Sequence, residues 1–415
     1  MSAPLAPIVV MKFGGTSVGD VACIKHVADL VMQFKSENPG VGVVVVLSAM
    51  AGETNKLLAL AKGCVEHPAP RELDVLLASG EQVTVALLAM RLSSIGIPAK
   101  SLLGSQLRIV TDERHTNAQI EEIDTEALHA ALAAGLVPVV AGFQGVADSG
   151  DITTLGRGGS DITAVALAAA LRAQCCFIYT DVTGVFSCDP RLSVKARLLE
   201  RITHEEMLEM ASLGAKVLHT RSVYFAMRYG VPLVVLSTFA GAFKPGVNGT
   251  WIVREEEGME QVIVSGITHK LDEARLMIQS MPSDIETMSK LFSVLGERGV
   301  LVDMISQENI GPGLLNVSLT VADEQSSAAL EVVREIIQAL RAEGVTIERN
   351  IAKVSIVGIG MRHHTDVAGR FFRALGREGI NVQMINTSEI KISVLVARKF
   401  CEAAVRVLNE EFIPG

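Results

Sequence analysis

The sequence predicts an α/β protein: a three-layer αβα sandwich around a mainly parallel sheet, followed by two smaller βαββαβ modules. Three observations carry that prediction. Short apolar strand-like runs alternate with helix-like segments over about the first 250 residues, the pattern of strands joined by crossover helices. One of the runs, Val41-Gly-Val-Val-Val-Val-Leu47, is almost continuously apolar, which marks a strand buried on both faces. An internal repeat fills the remainder: Phe292/Phe372, Leu295/Leu375, Gly296/Gly376, Gly299/Gly379, Val302/Val382 and Met304/Met384 coincide at one spacing of 80 residues.

Taken in order, Ile8-Val-Val-Met-Lys-Phe13 is a strand ending in Gly14-Gly15-Thr16-Ser17, with a helix-like segment to about Phe34. The valine strand runs into a polar loop, Ser48 to Asn55, and then a helix. Ser79-Gly80-Glu81 reads as a turn before a helix over 82–92. Residues 136–141 form a further strand, and Thr153-Thr-Leu-Gly-Arg-Gly-Gly-Ser-Asp161 a loop before an alanine-rich helix over 163–173. Strands at 175–179 and 231–236 complete this half, and the rhythm breaks at 241–246 and 254–258. Beyond the break, strands at 274–279 and 353–357 open the two repeats, each of ferredoxin-like order. The divisions are therefore 1–250, 265–345 and 346–415.

The length of 415 residues suffices for two to four domains. With 37 basic and 46 acidic residues the net charge is −9, and no dense basic patch appears, so nucleic acid is not an expected partner. No apolar run approaches the length of a membrane-spanning helix, and residues 1–7 lack the charged region and apolar core of a signal peptide. The six cysteines form no CxxC pair, and Cys175-Cys176 sits in a strand-like run, as reduced core cysteines do. The expectation is a soluble cytoplasmic protein without a protein-built metal site.

The chemistry concentrates in the loops after the strands, where open α/β sheets bind ligands. In residues 153–161, Gly156, Gly158 and Gly159 allow close backbone approach, and Arg157 offers a planar fork for a carboxylate or phosphate. Ser160 or Asp161 falls at the helix N-terminus, where free N–H groups favour anions; a plain glycine turn with a helix cap has the same composition. Lys12 at a strand end, followed by Gly14 and Gly15, pairs a point charge with N–H groups that can face phosphate oxygens, although the pattern is not that of a Walker loop. Glu81 is a carboxylate at a turn or equally a dipole-favoured helix-start residue. Residues 180–191 follow a buried strand with turn residues and two acids, the composition of a surface loop as much as of a site.

Together these pieces resemble the amino-acid kinase family, and within it the aspartate kinases. The resemblance rests on KFGGTS at 12–17, VLSAMAGETNKL at 46–57, SGEQ at 79–82, AGFQG at 141–145, TTLGRGGSD at 153–161, YTDVTGVFSCDPR at 179–191 and EEMLEMASLGAKVLHTRSV at 205–223. The carboxyl half resembles paired ACT domains, through KVSIVGIGM at 353–361 and NTSEIKIS at 386–393. The resemblance implies transfer of the ATP γ-phosphoryl group to the β-carboxylate of L-aspartate, with Mg²⁺ held mainly by the nucleotide. It implies that Lys12 neutralises the transferring oxygens and Asp161 orients Lys12. Glu81 would take the substrate ammonium and Arg157 its α-carboxylate, with Ser48, Thr54 and Ser160 completing the pocket. Gly14, Gly15, Thr180, Asp181, Phe186, Asp189, Arg191 and Lys216 would serve ATP. Such a transfer needs positioning and charge neutralisation, not a strong base, because the nucleophile is already a carboxylate.

The regulatory half departs from the family pattern. Where an Asp-x-Pro-Gly turn would open the first ACT helix, this chain has Met281-Pro-Ser-Asp-Ile-Glu-Thr-Met288, and the second copy has His363-His-Thr-Asp366. Feedback by lysine or threonine is expected to be weakened, with any remaining effector site near Met384, Ile385, Asn386, Thr387 and Glu389. The repeats are expected to join chains into a dimer or larger oligomer. Two other readings stand beside this one: a kinase of the same fold acting on another small amino-acid carboxylate, and a non-catalytic amino-acid sensor, against which the Lys12, Glu81, Arg157 and Asp161 set argues.

Overall fold

The computed structural model describes residues 7–240, 248–255 and 262–413. The expected breaks at 241–246 and at 256–258, and residues 1–6, lie outside the described residues. The chain divides into two compact units, residues 1–186, 198–212 and 216–259 in the first, and 187–197, 213–215 and 260–415 in the second. Two short stretches of the expected catalytic half, 187–197 and 213–215, thus cluster with the second unit.

The first unit is built on an eight-stranded sheet. At its centre Ile8–Phe13 pairs in parallel with Gly42–Leu47 on one side and Cys175–Thr180 on the other. Val137–Ala141 continues beyond Gly42–Leu47, again in parallel. Every residue of Ile8–Phe13 and Val137–Ala141 is buried, as are Val43 to Leu47. This is why the valine run carries no polar alternation: helices cover both faces. The antiparallel exception is Leu233–Ser237 against Thr250–Val253. A small four-stranded sheet includes Gln144–Ala147 and Ile152–Thr154, the hairpin that leads into the glycine loop.

Helix starts follow local chemistry. Asp20 caps Val21–Glu37 by accepting the Cys23 N–H at 2.8 Å. The alanine-rich helix runs Gly159–Ala170, beginning earlier than expected because Gly158 takes the left-handed conformation and turns the chain into it. The expected turn at Ser79-Gly80-Glu81 does not exist. A single helix, Pro70–Ser94, passes through it, with Pro at its first turn and Glu81 in its middle. Gly80 serves packing instead: a Cβ there would lie 2.8 Å from the Ala49 Cβ. This helix is long and apolar enough on average to cross a membrane, yet its buried stripe contains Asp74 and Glu81 as well as Leu77, Leu88 and Leu92. It is a core helix of the first unit.

The second unit is a six-stranded antiparallel sheet with two helix-backed cores. Helices Ile285–Glu297 and Ser326–Ile336 close one core, Val367–Arg377 and Cys401–Phe412 the other. The repeats are not consecutive closed modules. The long strand Gly266–Pro282 pairs through residues 266–270 with 353–357, and through 275–279 with 344–348. The second repeat therefore receives its last strand from chain that precedes the first.

Candidate active site

Lys12 lies near the carboxyl end of the central strand, 8% exposed, with its Nζ 2.5 Å from Asp161 Oδ1. Asp161 sits in the first turn of Gly159–Ala170, so the helix dipole and the ammonium both favour its charge. The cavity beside this pair has a volume of about 720 Å³. Its walls include Gly15, Ser48, Thr54, Glu81, Arg157 and Ser160 together with Lys12 and Asp161. Eight of the residues singled out in the sequence, drawn from four separate segments, thus meet in one place.

Glu81 is the unusual member. It is 3% exposed; its Oε1 accepts the Ala49 N–H at 3.0 Å, and its Oε2 is buried with no partner. Burial pushes its carboxyl up to about 7, an effect the Ala49 hydrogen bond only partly offsets. A buried acceptor without a donor is costly unless a ligand supplies one. Arg157 is exposed to the cavity and makes no ion pair among the described residues. The wall thus offers an acceptor for a cation and a fork for an anion.

The glycines earn their place by contact. A Cβ on Gly158 would meet the His219 side chain at 2.5 Å, and one on Gly142 would meet the Ser160 Cβ at 2.7 Å. His219 itself, absent from the expected site, is held below the usual imidazole range by burial. Gly14 donates its N–H to the Tyr179 carbonyl at 3.2 Å, so Gly15 is the member of the pair left in the cavity wall.

The remaining expected ATP residues are not among these walls. Thr180 and Asp181 follow the strand Cys175–Thr180 and bond to each other at 3.1 Å. Phe186 bridges to Leu198, and Lys216 is exposed. Asp189 and Arg191 belong to the second unit, where they form an ion pair of 2.7 Å. Of the expected effector residues, Met384 is buried against Met304, Ile351 and Leu395, while Ile385 is half exposed and Glu389 pairs with Arg362 at 3.4 Å. Sequence reasoning missed Asp74, Thr116 and Phe143. The signal for Asp74 was present, since 74, 77 and 81 share one helical stripe.

An amino acid kinase family model matches residues 7–237 and an ACT domain model residues 354–412. The chain belongs to the amino acid kinase family. An aspartokinase of Pseudomonas aeruginosa is 52% identical over 405 residues, covering 98% of this chain and 97% of the relative. An aspartokinase of Geobacillus stearothermophilus is 46% identical over 406 residues, with the same coverage. Among solved structures, E. coli aspartokinase III in complex with aspartate and ADP matches with a TM-score of 0.79 at 26% identity, over 98% of this chain and all of that one. The match spans both the kinase sheet and the ACT half.

Proposed function

We propose that this member of the family is an ATP-dependent aspartate kinase that makes 4-phospho-L-aspartate, the first step toward lysine, threonine and methionine. The observation that carries the reading is the buried Oε2 of Glu81, unpartnered among the described residues, in the wall of the same cavity as Arg157, which makes no ion pair among them. Glu81 receives the substrate ammonium and Arg157 its α-carboxylate; Ser48, Thr54 and Ser160 complete the pocket. Lys12, held by Asp161, neutralises the transferring oxygens, and Gly15 brings backbone close to them. Thr180, Asp181, Phe186 and Lys216 serve the nucleotide, as do Asp189 and Arg191. The cavity holds two carboxylates, Glu81 and Asp161, the second engaged by Lys12. That donor set fits Mg²⁺ carried by phosphates and water, which lends charge neutralisation to the transfer.

ADP release with Mg-ATP and a panel of acidic amino acids tests the reading. Turnover with L-aspartate and a hydroxylamine-trapped acyl phosphate support it; equal or better turnover with glutamate or N-acetylglutamate favours another carboxylate substrate and overturns it.

The ACT half is regulatory in this reading, and weakly so. Asp284 caps the helix Ile285–Glu297 with its own side chain, accepting the Thr287 N–H at 2.8 Å. A donor that an effector carboxylate needs is thereby taken, so lysine and threonine inhibit less than in relatives with a Pro-Gly turn. Ile305 and Ile385, one repeat spacing apart, are 51% and 52% exposed, on strands at the two edges of the sheet. A second chain covering them gives the dimer.

A further inference from the structure

Asp74 is a fully buried carboxylate that the phosphoryl transfer does not use. It lies two helical turns before Glu81 on the same face of Pro70–Ser94. Its oxygens make four contacts with three polar groups. The Thr116 N–H reaches Oδ1 and Oδ2, each at 3.0 Å; His115 Nδ1 lies 2.8 Å from Oδ2; and Thr154 Oγ1 donates to Oδ1 at 2.5 Å. These donors belong to two other segments, a turn at 114–117 and the end of the strand Ile152–Thr154.

Both segments form the cavity wall, which includes Thr116, Thr154, Gly156 and Arg157. They are also locked together: the Ala118 N–H donates to Thr154 O at 2.9 Å. Thr116 has φ +69, a conformation a β-branched residue resists. The two hydrogen bonds from its N–H to Asp74 hold it there, and its carbonyl packs closely on Gly156, where a Cβ would lie 3.1 Å from that oxygen and 3.0 Å from Asn117 Oδ1. Gly156 in turn has φ +76 and precedes Arg157.

We propose that Asp74 is a positioning residue that fixes the separation between Glu81 and Arg157, and so the length of amino acid the cavity accepts. Glu81 is tied to Asp74 through one rigid helix. Arg157 is tied to it through Thr154, three residues upstream, and through the Thr116–Gly156 contact. Loosening the clasp lets the two ends of the substrate site drift while Lys12 and Asp161, on other elements, stay in register. The proposal rests on the assignment of Glu81 and Arg157 to the two ends of aspartate.

Steady-state kinetics of Asp74→Asn and Thr154→Val test it. The wild-type arm comes first: absence of aspartate-dependent ADP release defeats the aspartate kinase assignment itself, independently of Asp74. Given that activity, each variant should raise the aspartate KM roughly tenfold, leave the Mg-ATP KM within about twofold and kcat within about threefold, and narrow the preference for aspartate over glutamate. The double variant should lose little more than the worse single one, because both break one hydrogen-bonded link. An unchanged aspartate KM in Thr154→Val overturns the proposal. So does a parallel loss of kcat and both KM values with lowered melting temperature, which marks a purely structural role. Should Asp74→Asn fail to fold, Thr154→Val alone decides the matter, since it removes only one hydroxyl.

Discussion

Among the described residues two lysines are buried against carboxylates, one in each unit, and they do different work. Lys12 is 8% exposed and meets Asp161 in the wall of a large cavity. Lys353 is 2% exposed in the sheet of the second unit, bonded to Asp303 and 3.5 Å from Glu273. Glu273 is fully buried and also receives Lys270 at 2.6 Å. The difference lies in what borders each pair. Around Lys12, Arg157 makes no ion pair among the described residues and Glu81 Oε2 is an orphan, and both residues line the cavity; around Lys353 the charges pair with one another within the sheet, and Glu273 Oε2, likewise without a hydrogen-bond partner, belongs to a fully buried side chain. A buried ion pair is therefore no mark of a site. An ion pair beside unspent donors and acceptors in an open cavity is.

The largest expected effect separates the two lysines directly. Lys12→Ala should lower kcat by about 10²–10³-fold, the usual cost of removing one group aimed at developing charge, with the aspartate KM within about threefold. A coupled ADP assay reads both. A comparable loss from Lys353→Met would erase the distinction.

Glu81→Gln comes next. The amide keeps the size and loses the charge, so the aspartate KM should rise roughly 10- to 100-fold, in keeping with a charge-assisted hydrogen bond. The Mg-ATP KM should stay near its starting value. An unchanged aspartate KM would remove Glu81 from the ammonium end.

Lys353→Met should act on stability alone. It leaves Glu273 buried with Lys270 as its remaining partner, which places the cost near the lower end for a broken buried pair, about 3 kcal/mol. For a unit of this size that corresponds to a melting shift of roughly 6–12 °C, read by calorimetry, while kcat per folded molecule is retained.

How much of this was legible beforehand differs between the two lysines as well. Lys12 was visible because the glycine pair after it and the strand before it are local features. The strand Gly42–Leu47 was visible because burial on both faces removes alternation. Lys353 was not, since its carboxylate partners lie 50 and 80 residues away in sequence and are joined only by strand pairing. Glu81 was singled out in the wrong local structure: Gly80 suggested a turn, but packing against Ala49 explains the glycine within a continuous helix. The exchange of residues 266–270 into the second repeat was hidden for the same reason as Lys353. A repeat shows which elements recur, not which copy a flanking strand joins.

The smallest effect is the most specific, because it reads a single carboxyl, that of Glu81. Burial pushes Glu81 from an ordinary 4.5 up to about 7 in the empty cavity. Between those values the folded chain holds a proton that the unfolded chain has lost, so stability falls as pH rises through the window. Glu81→Gln should flatten that part of the stability profile. Substrate binding runs the opposite way. The ammonium of aspartate requires the ionised carboxylate, so below about pH 7 a proton must first leave. The aspartate KM should therefore rise roughly eightfold between pH 7.5 and pH 6, and approach tenfold per pH unit below that. In Glu81→Gln the KM is higher throughout but should lose this slope, whereas Lys353→Met should keep it. Aspartate titrations at six or seven pH values on the three proteins read the difference; the same slope in Glu81→Gln as in the unaltered chain would assign the titration to another group.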